Sequence, residues 1–266
     1  MTSSAGAAVD GFGPVRRLAT VEEVAASAGG HPVLALDIGA GFVAPAYAAG
    51  ALPEGAVAVH RRSDHGVPGT AVLGSRDGLA TLLDDPDVRA WVTGGDNRHV
   101  SAPRGMVDLV VDRLDVGDRG GDWDWLWTRT APPPVPGEDR VTDLNRRDRE
   151  ETEAFLEAHS PRTHGQPFAR PGQRWVAIRD DDGRLVAVGG SEPSQAGTPT
   201  LAGIAVDTAR RGEGWGAAVT ARLTREAVEQ VGACALGMFA DNEVARALYH
   251  RLGFTTGMEW TSRWFG

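Results

Sequence analysis

At 266 residues the chain has room for one large domain or two modest ones, each able to bury a core. A net charge of −9 argues against general nucleic-acid binding, and a single cysteine, Cys234, leaves no intramolecular disulfide and fits a reducing compartment. The apolar stretch from Val33 to Leu52 carries Asp37, Pro45 and several glycines, against a membrane span, and Val21-Glu-Glu-Val interrupts any secretory signal after Arg16-Arg17. A cytoplasmic protein without membrane or nucleic-acid partners is expected.

Residues 1–14 are Ser/Ala/Gly-rich and read as a disordered tail. Thr20 caps an expected helix to Ala28, with Glu22 and Glu23 in its first turn. Val33–Leu36, Ala56–His60 and Val72–Gly74 read as short strands, and Ser75 opens a second capped helix. Arg89–Val92 is a further strand candidate; Arg104–Leu114 is a helix with Met106, Leu109, Val110 and Leu114 inward. Trp123, Trp125 and Trp127 alternate, so a strand places all three indoles on one face, as core or inter-domain packing or as an aromatic wall. Ala131-Pro-Pro-Pro-Val-Pro-Gly then divides the chain, with units over 15–130 and 138–266 and a stiff linker over 131–137.

In the second unit, Arg140–Leu144 starts a strand and Asn145 caps a helix through Ala158, with Phe155 and Leu156 inward. His159–Gly172 is a polar loop. Trp175–Arg179 and Arg184–Gly189 form a hairpin around Asp181-Asp182-Gly183. Thr200–Val206 is a strand, followed by Arg210, Arg211 and glycines at 212, 214 and 216. A helix then carries Val219, Leu223, Ala227 and Val231 at helical spacing. Ala235–Ala240 is a strand, Asp241-Asn242 leads into a helix with Tyr249, and Phe254–Phe265 closes the sheet, as two strands around Thr256-Gly257.

Glycines between a strand and a helix let the backbone approach a ligand, and the unpaired N–H groups of the helix start attract phosphate. Arg210 and Arg211 add charge there. A Walker A loop is excluded because no Lys-Ser or Lys-Thr follows. Gly212-x-Gly214-x-x-Ala217 satisfies a dinucleotide fingerprint, with Asp241 closing the next strand, but Asp207–Arg211 separate it from its strand and too little chain follows to finish a doubly wound sheet.

Arg211-x-x-Gly214-x-Gly216 followed by Asn242-x-x-Ala245-x-x-Leu248-Tyr249-x-x-Leu252-Gly253-Phe254 resembles the GNAT superfamily of acyl-CoA-dependent N-acyltransferases, over roughly Arg140–Gly266. The resemblance implies an α/β fold, a mixed central sheet flanked by helices, and transfer of an acyl group, most often acetyl, from coenzyme A to a primary amine. By analogy with the glycine N-acyltransferase group, residues 15–130 are a degenerate GNAT-like copy. The resemblance assigns the backbone of Ile204, Ala205 and Val206 to the pantetheine arm and the N–H groups of Arg211, Gly212, Glu213, Gly214, Trp215, Gly216 and Ala217 to the pyrophosphate. Asn242 serves the pantetheine or caps its own helix.

Tyr249 is the expected general acid, a phenol of pKa about 10 protonating a thiolate whose conjugate acid lies near 8.5. The strand Thr200–Val206 holds no acid, so Glu192 is the leading base candidate, ahead of Asp207, His164 and His159. Trp215 packs on the first unit or flanks the coenzyme. Trp260 and Trp264 are core or line the acceptor cleft, and Cys234 is a buried, inert thiol. The expected activity is N-acetylation of a small amine, with acetyl-CoA as co-substrate, no metal, and a monomeric or homodimeric chain. The alternatives are a protein or peptide amine as acceptor, or a non-catalytic acyl-CoA sensor.

Overall fold

The computed structural model describes residues 12–63 and 66–266. Residues 1–11 of the expected tail lie outside them, whereas Phe12 packs on the N-terminal core. In chain order the elements are β1 (Arg16–Leu18), α1 (Val21–Ala28), β2 (Ala46–Ala49), β3 (Ala56–Arg62), β4 (Pro68–Gly74), α2 (Arg76–Asp84), α3 (Pro86–Thr93), β5 (His99–Pro103), α4 (Val107–Arg113) and β6 (Val116–Thr128). The second half continues with β7 (Thr142–Asp143), α5 (Arg149–His159), β8 (Arg174–Arg179), β9 (Leu185–Pro193), β10 (Pro199–Val206), α6 (Trp215–Val231), β11 (Cys234–Phe239), α7 (Glu243–Arg251) and β12 (Thr255–Phe265).

The halves run through nearly the same element order, and each contains one parallel strand pair, β4 with β5 and β10 with β11. They do not form separate sheets. One twelve-stranded sheet runs β1-β2-β3-β4-β5-β12-β6-β11-β10-β9-β8-β7. Each half lends its last strand to the other: β12 lies between β5 and β6, and β6 between β12 and β11, all antiparallel. The segment 131–137 packs rather than standing free, since Val135 lies on the α6 core and Arg225 of α6 reaches the Pro132 carbonyl and Glu138.

The central strand places Trp123, Trp125 and Trp127 in one hydrophobic cluster with Trp260, so the alternating indoles are core. Trp123 stacks on Trp260 at 5.7 Å and donates through Nε1 to Ser262 Oγ at 2.9 Å. On the other face of β6, Asp124 is 1% exposed and accepts from Arg246 Nη2 at 2.7 Å and from Arg104, so one carboxylate joins both halves.

Several elements differ from the sequence expectation. Val33–Leu36 is not a strand: Leu34–Ile38 forms a wide helical turn, because a short buried apolar run fits either conformation. Asp37 in that turn holds Arg61 of β3 at 2.7 Å. Arg89–Val92 belongs to α3, started by Pro86 and by Asp85, whose carboxylate accepts from Asp87 and Val88 N–H. Phe254–Phe265 is one strand whose bulge at Thr256–Met258 frees Gly257, where a Cβ would lie 2.7 Å from Trp125. Val231 is exposed, because three successive i+4 steps carry it about 120° round the helix from Val219. Cys234 is fully buried, its thiol pushed up to about 12 by desolvation. No helix among the described residues is long and apolar enough to cross a membrane.

Candidate active site

The site begins with a break in the sheet. β10 pairs with β11 only at Thr200–Ala235 and Leu201–Leu236, although both strands run on. A bulge between Ala202 and Ala205 turns β10 away, with Gly203 at φ +64°, where a Cβ would lie 2.5 Å from the Trp175 ring. β11 meanwhile keeps its pairing with β6 through Phe239. The two parallel strands therefore splay at their C-terminal ends, and Ile204 and Val206 lie on the opening.

α6 starts over that opening. Gly212 and Gly214 sit at φ +85° and +93°, and a Cβ on either would meet no atom within 4 Å. Gly214 is the N-cap and offers no side-chain acceptor; the first intrahelical bond runs from Ala218 N–H to the Gly214 carbonyl at 3.1 Å. The N–H groups of Trp215, Gly216 and Ala217 precede that bond and have no intrahelical acceptor. A Cβ on Gly216 would lie 3.4 Å from Val206, so the helix start closes directly on the cleft. An open, uncapped helix terminus fits a pyrophosphate.

The charges sit differently from expectation. Arg210 Nε donates to both Glu213 oxygens at 2.9 Å, and this pairing, with the Trp215 indole at 2.9 Å, holds the Glu213 carboxyl below its usual range. Arg211 Nη2 donates to the His159 carbonyl at 2.7 Å. The cradle in this structure is thus backbone N–H groups and glycines, with its arginines engaged. Trp215 packs on the inter-half segment, under Arg140 at 5.2 Å and against Gly137.

Across the cleft, Asn242 caps α7, accepting from Ala245 N–H at 3.1 Å. Tyr249 is 8% exposed and shares a core cluster with Ile204, Val206 and Leu248; its ring meets Phe254 at 5.9 Å. Burial pushes its phenol up to about 12, so it holds its proton throughout the physiological range. Glu192 lies on β9 directly opposite Thr200, and its Oε2 accepts from Arg170 Nε at 3.0 Å and Gln173 Nε2 at 2.8 Å. Asp207 caps the turn Thr208–Arg210, and His159 Nδ1 accepts the Thr208 N–H at 3.0 Å, so both are spent on local structure. His164 meets the Phe239 ring at 5.2 Å, in a loop that Arg162 ties to Asp241 at 2.8 Å. Two residues that sequence reasoning passed over stand out. Arg170 gave no signal; Asp124 did, as a carboxylate alternating with tryptophans in a strand buried on both faces.

The corresponding turn of the first half, before α2, is not open. β4 passes straight into α2, whose N-cap Ser75 accepts from Gly78 N–H at 3.0 Å and donates to the Glu54 carbonyl. A Cβ on Gly78 would strike the backbone of Gly55, so this turn is filled.

A splayed parallel strand pair under an uncapped helix start is an open feature of this α/β fold. Residues 139–254 match the model of the acetyltransferase (GNAT) family. An acetyltransferase of the GNAT family from Novosphingobium aromaticivorans DSM 12444 is similar in fold, with a TM-score of 0.52, 19% identity and coverage of 77% of this chain and 86% of its own. A GCN5-related N-acetyltransferase from Kribbella flavida aligns over 92% of this chain and 95% of its own, with a TM-score of 0.51 and 18% identity. No curated protein matches.

Proposed function

We propose that residues 138–266 transfer an acetyl group from acetyl-CoA to the primary amine of a small molecule or amino acid derivative. Residues 15–130 are a degenerate copy that contributes β6 and Asp124 but no coenzyme site, with 131–137 as the packed connection. The observation that carries this reading is the uncapped start of α6 above the splay of β10 and β11. Backbone groups of Ile204, Ala205 and Val206 align the pantetheine arm along the free strand edge, and N–H groups from Arg211 to Ala217 bind the pyrophosphate. Asn242 shapes the α7 start beside that arm. A main-chain N–H near Ala205 or Val206 polarises the thioester carbonyl.

Tyr249 donates the proton that the departing sulfur takes up. Tyr249→Phe should lower kcat about 100-fold while the coenzyme Kd stays within about twofold, measured by steady-state kinetics and calorimetry. An unchanged kcat removes Tyr249 from the mechanism. Glu192, opposite the first residues of β10, takes the ammonium proton directly or through water. Glu192→Gln should move the pH–rate profile of a basic amine upward by about one unit; superimposable profiles reject it as base. The engagement of Glu192 with Arg170 and Gln173 favours one further reading, a non-catalytic acyl-CoA sensor. Thiol release from acetyl-CoA across pooled amines, amino acids and peptides separates the two, since a sensor binds coenzyme and releases none.

A further inference from the structure

A cavity lies away from the start of α6, in the first half, with Gln195 of the second half at its rim. Its volume is about 370 Å³, within the range of small-ligand pockets. It is bounded by the end of β3, the start of β4, the last turn of α3 and the corner that follows, and by Gln195 from the β9–β10 hairpin. The corresponding place in the second half holds only about 140 Å³, and there Arg174 and Glu226 on the wall pair with each other.

One wall is the flat Trp91 indole, tilted against His60 at 4.6 Å and Tyr47 at 5.1 Å. Trp91 Nε1, like that of Trp125, Trp175 and Trp260, is buried and donates to no acceptor among the described residues. Asn97, 6% exposed, spends its amide on Thr70 Oγ1 and the carbonyls of Trp91 and Val92, which fixes the wall behind the indole.

The charged side chains on the lining are mostly cationic. Asp37 neutralises Arg61, but Arg62 is exposed and its guanidinium meets only the Gly66 carbonyl among the described residues. Its backbone N–H donates to Gln195 Oε1 at 2.7 Å, and Gln195 Nε2 reaches the Gly41 carbonyl at 3.3 Å, so one amide spans the halves at the cavity rim. His60 adds an imidazole, its pKa lowered by burial, and Asp96 is the single carboxylate among the described lining residues.

A flat aromatic wall and a guanidinium that meets no carboxylate among the described residues together suit one ligand chemistry. We infer that this cavity binds a small planar organic carboxylate, its ring against Trp91 and its charge toward Arg62 and His60. Such a ligand would stack on the indole and would sit under the Gln195 clasp. The inference does not depend on the acetyl-transfer reading.

Benzoate is the probe, titrated into the full chain at constant ionic strength and followed by thermal unfolding, with benzamide as the neutral isostere. Benzoate should raise the midpoint saturably, and benzamide should need at least tenfold more for the same shift. Arg62→Glu, an exposed substitution, should weaken benzoate at least tenfold, whereas Arg17→Glu, on the exposed β1 edge, should leave it within twofold. The absence of a saturable benzoate effect overturns the inference. So does an equal response to benzamide, or an Arg62→Glu protein that binds benzoate as well as the parent.

Discussion

Asp124→Asn should destabilise the protein by about 3 kcal/mol and lower its thermal midpoint by roughly 6–12 °C. Asp124 is 1% exposed and lies on the strand exchanged between the halves. Its Oδ2 accepts from Arg246 Nη2 at 2.7 Å and Nε at 3.2 Å, and its Oδ1 from Arg104. An amide cannot serve both guanidinium groups, and breaking a buried pair from one side leaves charge uncompensated, which costs far more than a surface pair contributes. Arg246 is one helical turn before Tyr249, so kcat should fall along with stability. Paired thermal melts of parent and variant check this, and a midpoint shift below about 2 °C would show that Asp124 does not hold the halves together.

Gly214→Asp should abolish coenzyme A binding, with Kd rising at least about 100-fold, equivalent to about 2.7 kcal/mol. A carboxylate at the N-cap would repel an anion at the helix start. The φ of +93° at this position costs an L-residue about 1–2 kcal/mol, a fraction of the stability of a typical domain, so the fold should survive. Gly214→Ala carries the same strain without the charge and should keep binding within about tenfold. Calorimetry on the parent should show one coenzyme per chain, because the turn before α2 is filled. Binding by Gly214→Asp within threefold of the parent would place the pyrophosphate elsewhere, and two sites per chain would contradict a filled first half.

The uncapped start of α6 was readable because it is set locally. Glycines at 212, 214 and 216 between a strand and a helix specify an open turn and an uncapped terminus whatever surrounds them, and Asn242 four residues from Arg246 announces its own helix. The capped helices were readable for the same reason, since Thr20, Ser75 and Asn145 act on N–H groups two or three residues away. Short apolar runs were not: Val33–Leu36 and Arg89–Val92 fit a strand or a buried helix equally, and tertiary packing chose helix in both.

The sequence by itself determined the likeness of the second half to the acetyltransferase family, the open start of α6, the tryptophan face of β6 and the buried state of Cys234. Each follows from spacing within a few residues or from side-chain alternation along one strand. Only the tertiary structure decided the rest: the exchange of β6 and β12, the pairing of Arg210 with Glu213 and of Arg211 with the His159 carbonyl, and the burial of Asp124 between arginines of both halves. Those depend on contacts between residues far apart in the chain, such as Asp124 and Arg246, and no local pattern encodes which distant charge a side chain will meet.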